Sequence, residues 1–187
     1  QVFYIGSTKF DNIKLLKSLT GSAATPPLPT PPPANPAPTT PPPAPAKASE
    51  LMLEDAEDGD TLGWKSNSSL KIKNIYEDQK KSKVIELTGI GAANLKNEDG
   101  TLFNNSTHKV FSWDMYTKNT FQIKLFLETD KGDKSIVYGN GEYTNQPNNS
   151  TVYIKMDTKY GVWYTTTRDV EADFNSIQPE TKISKIQ

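Results

Sequence analysis

Glu54, Asp55, Glu57, Asp58 and Asp60 crowd one short run, LEDAEDGDTLGW. Hard oxygen donors packed into a turn suit Ca²⁺, which takes about six to eight of them. Carboxylates at this spacing repel one another, and a cation relieves the repulsion. The run does not follow an EF-hand loop, because its Gly and a terminal Glu fall out of register. We expect Ca²⁺ as the cofactor, held by Asp55, Glu57, Asp58 and Asp60; the alternative is a solvated acidic turn.

Sugar recognition is the second chemistry within reach. Apolar sugar faces stack on aromatic rings while amides and carboxylates bond the hydroxyls. The chain offers Trp64, Trp113, Tyr116, Tyr143, Tyr153, Tyr160, Trp163 and Tyr164. Trp113 alternates with Phe111 and Met115, which places all three on one face, expected to be interior. Tyr116, Tyr143 and Tyr160 lie near turn signals and are the expected surface positions for a polysaccharide.

Catalysis has little support. The paired carboxylates of a glycosidase divide acid and nucleophile or base roles. The nearest arrangement, Glu171-Ala-Asp173-Phe-Asn-Ser176, lacks the closing Glu of the Glu-x-Asp-x-x-Glu pattern, and we expect it in a loop. No phosphate loop, Gly-x-Ser-x-Gly elbow or zinc motif is present. With no Cys and one His, His108, thiolate and imidazole clusters are excluded. No catalytic residue is therefore assigned, and the expectation is that the chain is not an enzyme.

The elements that must position these groups read as short strands between polar turns. Alternation is clear in Phe121-Gln-Ile-Lys-Leu-Phe-Leu and in Leu70-Lys-Ile-Lys-Asn-Ile-Tyr. Strands are expected over Val2–Ile5, Asn12–Leu16, Leu51–Asp55, Leu70–Tyr76, Lys83–Gly89, His108–Met115, Phe121–Glu128, Lys134–Tyr138, Val152–Lys155, Trp163–Asp169 and Lys182–Ile186. One short helical turn is expected at Val170–Ser176. This spacing predicts an all-β fold, a jelly-roll-type two-sheet β-sandwich.

Composition narrows the partners. Lysines and arginines number 21 against 22 acids, net charge -1, with no basic block, so no nucleic acid is expected. No apolar run is long enough for a membrane span. Twelve of the fourteen prolines fall between Thr25 and Pro45. Such a tract favours polyproline II and divides the chain into a strand segment (1–19), a linker (20–49) and a sandwich domain (50–187). At about 3.1 Å per residue the tract is long enough to cross a domain of this size. Thr39 and Thr40 in it can carry O-glycans, and Asn67, Asn104, Asn105, Asn148 and Asn149 fit the N-glycan acceptor pattern.

The order LEDAEDGDTLGWK, KVIELTG, FSWDMYT, WYTTTRDVEADF and FYIGSTKFDNIKL resembles a jelly-roll, lectin-like or carbohydrate-binding-like module of large secreted bacterial surface proteins. In such modules the segment similar to STKFDNIKL comes last and closes the sheet; here it comes first. The resemblance implies an extracellular location on a bacterial cell surface. It also makes first and last strands neighbours, so that Asp11 joins the expected calcium ligands.

Val2, Phe3, Tyr4 and Ile5, with Ile13 and Leu15, are too apolar to hang free. The segment is expected to complete its own sandwich or a neighbour's. The leading expectation is a non-enzymatic structural or adhesive unit, assembling head-to-tail with identical units by donor-strand exchange or tandem repetition into a surface filament or stalk. The alternatives are a carbohydrate-binding module on a Pro-rich tether, and a glycosidase or polysaccharide lyase.

Overall fold

A computed structural model describes residues 2–17, 50–66, 69–142 and 150–187. Eleven strands and one helix follow in chain order. They are β1 (Val2–Leu16), β2 (Glu50–Glu54), β3 (Trp64–Ser66), β4 (Lys71–Glu77), β5 (Ser82–Leu95), β6 (Val110–Thr117), β7 (Phe121–Thr129), β8 (Gly132–Gly139), β9 (Thr151–Lys155), β10 (Tyr164–Asp169), α1 (Val170–Ile177) and β11 (Ile183–Ile186). The protein is an all-β, two-sheet sandwich that does not close into a barrel.

One sheet runs β10-β6-β1-β5-β4 and the other carries β11 and β8 on the two edges of β7, with β9 parallel beyond β8. A single ladder connects them. Residues 8–16 of β1 pair with β6, and residues 2–4 pair with β7 in the same register. The interruption between β6 and β7 therefore falls opposite Gly6, which itself faces Gly89 of β5. Gly89 has φ 114° and Gly91 φ 149°, backbone that side chains resist. Paired glycines at one register let the ladder fold over here, as at the corner of a barrel.

Alternation sorts the side chains. Phe121, Ile123, Leu125 and Leu127 of β7 point inward and are buried. Trp113 is fully buried with Phe111 and Met115, as its spacing predicts. Its ring lies 4.7 Å from Phe111 and 5.9 Å from Tyr138, the kind of tilted packing aromatic quadrupoles favour. Phe10 of β1 stacks on Trp64 at 6.4 Å.

The two expected N-terminal strands are one strand, β1, at the centre of the first sheet. A bulge separates its halves. Asn12 adopts φ 48°, and the register against β6 slips between Asp11 and Lys14. The slip keeps both Phe10 and Ile13 buried, with Leu15 following. Burying each such side chain contributes about 1.5–3 kcal/mol. Among the expected strand-donor residues, Ile13 and Leu15 thus sit in this chain's own core. Val2, Phe3, Tyr4 and Ile5 all pair with β5 of the same chain, and the first three pair with β7 as well.

Leu16 pairs with Glu50, and Lys14 Nζ lies 3.1 Å from Glu50 Oε2. β1 and β2 are therefore antiparallel neighbours, with Leu16 and Glu50 side by side. No domain width separates the two described strands that flank the Pro-rich tract.

The helical turn expected at Val170–Ser176 is α1, and it contains the carboxylate motif Glu171–Ser176, which is therefore not in a loop. Asp169 caps α1 by accepting from Ala172 N at 2.9 Å, a contact of about 1 kcal/mol. Val170 and Phe174 anchor the helix in the core.

Candidate functional site

The outward face of β10-β6-β1 carries the densest set of polar and aromatic groups. Alternation sends Asp114 and Tyr116 of β6 outward while Trp113 and Met115 point in. Trp163, just before β10, places its ring 6.0 Å from Tyr116 at 45°. Lys9 and Lys118 set their ammonium groups 5.6 and 5.8 Å from the centre of the Tyr116 ring. Tyr160 reaches the same end of β6 through a bridge to Thr117, and is 57% exposed. Of the expected sugar-binding tyrosines, Tyr116 thus joins Trp163, Tyr160 lies at the end of β6 with its hydroxyl accepting from Asn140 Nδ2 at 3.0 Å, and Tyr143 lies outside the described residues.

Beside this aromatic pair the bulge in β1 gathers carboxylates. Asp11 and Asp114 are cross-strand partners. Like charges so placed repel, and the turn between β4 and β5 supplies the remedy. Lys80 Nζ lies 2.6 Å from Asp11 Oδ2 and 2.5 Å from Asp114 Oδ2, and 4.9 Å from the centre of the Trp163 ring. Asn12 Nδ2 donates to Asp114 at 3.0 Å, and Thr165 Oγ1 donates to its other oxygen at 2.6 Å. Burial raises the Asp11 carboxyl above its ordinary range despite Lys80. Asp114 is also pressed upward by burial, but bonds from Lys80, Thr165 and Asn12 outweigh that and hold it below the usual range. Lys9 pairs with Glu77, with Glu86 4.0 Å away, and its bond lowers the Glu77 carboxyl.

The acidic run after β2 is organised by its own backbone. Asp55, Asp58 and Asp60 accept from the amides of Glu57, Asp60 and Leu62. Glu54 is buried and accepts from Trp64 Nε1 and Ala56 N, both at 2.6 Å. Its desolvation raises its pKa. Glu57 does approach Asp11: Ser82 Oγ donates to Glu57 at 2.5 Å and lies 3.5 Å from Asp11 Oδ2. The cation on Asp11, however, is the ammonium of Lys80. Among the described residues no three acidic, His or Cys side chains converge as metal ligands.

The glycan acceptors divide by exposure. Asn104 is exposed, whereas Asn105 is 6% exposed and spends its amide on His108 O and the amides of Thr107 and His108. Thr39, Thr40, Asn67, Asn148 and Asn149 lie outside the described residues. Asp173 is tied to Arg168 and to the Tyr138 hydroxyl, which donates at 3.0 Å.

Sequence reasoning did not single out Lys80, Asp114 or the role of Trp163. Alternation predicts Asp114 outward once Trp113 is inward; nothing local marks Lys80, which arrives from a hairpin tip. No helix is long and apolar enough to cross a membrane among the described residues. No protein-family model matches the chain, and no curated protein matches it.

Proposed function

We propose that the chain is a non-catalytic, jelly-roll-type carbohydrate-binding module of a secreted bacterial surface protein. The observation that carries this is the Tyr116–Trp163 pair on an outward sheet face, ringed by Asp114, Thr165, Lys9 and Glu77. Half-exposed rings supply stacking area, and the charged groups beside them bond hydroxyls. The carboxylates best placed for catalysis are engaged elsewhere: Asp173 holds Arg168, and Asp11 and Asp114 share one ammonium. Native electrophoresis through gels containing cellulose, xylan, pectin or chitosan tests it. Retardation by at least one, abolished by Trp163→Ala, is expected. Unchanged mobility in all four, or release of soluble sugar, overturns it.

A second reading is assembly of identical units. β11 and β1 lie in line on one edge of β7, with Gln187 N bonded to Phe126 O at 2.9 Å and Val2 paired to Ile123. The same pairing made between copies gives a swapped, head-to-tail chain of sandwiches. Mass measurement in native buffer separates the two: a 20.7 kDa species favours the module, and large assemblies that dissociate in denaturant favour exchange.

A further inference from the structure

The seat that holds Lys80 is built without Lys80. Its walls are Asp11 on β1, Asp114 on β6 and Trp163, the residue that leads into β10; the first two are cross-strand partners and the third adjoins the ladder at Tyr164. Asp11 retains 2% of its side-chain exposure and Asp114 18%. The plug comes from a different kind of element. The turn Asp78–Lys81 is closed by backbone bonds from the amides of Lys80 and Lys81 to Glu77 O, at 3.2 and 2.8 Å. Its neighbours Asp78 and Lys81 have side chains 89% and 74% exposed. The Lys80 side chain can therefore leave while the turn keeps its bonds.

Two carboxylates below and an indole face beside one point are the chemistry that recognises an ammonium. Carboxylates neutralise it and accept its protons, and the ring quadrupole attracts it. We propose that this seat recognises the primary ammonium of a de-N-acetylated amino sugar, and that Lys80 occupies it in cis until such a ligand displaces it. The inference rests on the carbohydrate-binding reading, because the adjoining Tyr116 ring is what favours an amine carried on a sugar over one carried on a peptide. The local charge agrees: two carboxylates surround one ammonium, that of Lys80, among the described residues. A ligand amine would replace Lys80 with no net change in buried charge.

An internal competitor lowers apparent affinity by the fraction of time the seat is open. If Lys80 fills it about 90–99% of the time, removing it strengthens binding about 10- to 100-fold. Calorimetric titration of wild type and Lys80→Met with glucosamine hexamer and with its N-acetylated counterpart reads this out. The expected result is a gain of that size for the free amine in Lys80→Met, and none for the acetylated hexamer. An equal gain for both, or no gain for the amine, overturns the inference.

Because Lys80→Met leaves two carboxylates uncompensated, a wild-type measurement accompanies it. The Trp163 indole resonance should move with glucosamine hexamer and respond much less to the acetylated form or to polylysine. Equal responses to the two sugars overturn amine recognition, and an equal response to polylysine overturns the sugar assignment. The two levels fail separately. Neutral polysaccharides that bind through Trp163 without amine preference leave the module reading standing and remove only this inference; a protein that binds no saccharide removes both.

Discussion

Replacing Phe10 with Ala tests whether the N-terminal strand belongs to this chain's own core. Phe10 is 1% exposed and pairs with Ile85 on one side and Met115 on the other. Its ring stacks on Trp64 and borders an apolar cavity of about 60 Å³ between the sheets. Deleting a buried phenylalanine costs about 3–5 kcal/mol, the upper values applying where the site cannot collapse. Extending an existing cavity between two paired strands is such a case. For a sandwich of this size each kcal/mol lowers Tm by about 2–4 °C, so the expected drop is roughly 6–20 °C. Calorimetry of wild type, Phe10→Ala and the exposed-site control Lys71→Ala measures it, at two protein concentrations. A drop under about 2 °C would refute the placement of β1. A Tm that climbs with protein concentration would show instead that β1 is supplied by a second copy.

Further outcomes follow from the polar groups. Glu54→Gln should lose about 1–3 kcal/mol, because Trp64 Nε1 and Ala56 N donate to different oxygens and Gln turns one of those into an NH2 that cannot accept; unchanged thermal unfolding would count against the pair of bonds. On acidification Asp11 should take its proton before Asp114, since burial raises the first and bonds from Lys80, Thr165 and Asn12 hold down the second. A lowered folded pKa stabilises above the unfolded value, so the Asp114 contribution is lost as pH falls below about 3.8 through its folded pKa; carboxyl NMR showing the reverse order would contradict this. In a glycosylating host Asn104 should be modified and Asn105 left bare, as peptide mass mapping would read. Protease cleavage within 18–49 should leave the 1–17 fragment bound, and its release under native conditions would refute the depth of β1 burial.

Period-two alternation was enough to locate β4, β6 and β7, because one face of each meets the core and the other does not. It split β1 in two because the bulge at Asn12 breaks the period, and because Gly6-Ser-Thr reads as a turn although it is where paired strands bend together. β3 was missed since three residues, Trp64–Ser66, carry no period, and the second half of β5, Ile90-Gly-Ala-Ala-Asn-Leu95, hides behind its glycines. The acidic run was visible as a cluster, but its carboxylates bond nearby amides, a use that charge spacing cannot distinguish from metal binding. Asp11 is expected as a calcium ligand, and in the structure it pairs with the ammonium of Lys80. That the cation is Lys80 depends on how far a hairpin tip folds over the sheet, and tertiary geometry alone decides that.

The position of β1 has a consequence for synthesis on the ribosome. The strand is made first, yet its partners lie in Ser82–Leu95, Val110–Thr117 and Phe121–Thr129. At about 5–20 residues per second, roughly 5–20 s pass between the appearance of Thr8 and that of Thr117, its partner across the sheet. An apolar strand waiting that long is open to pairing with whatever emerges next. What emerges next is the proline tract, in which twelve of the residues between Thr25 and Pro45 are prolines without the amide N–H a ladder requires. The first stretch to follow the strand off the ribosome is therefore, by its proline content, a poor ladder partner for it.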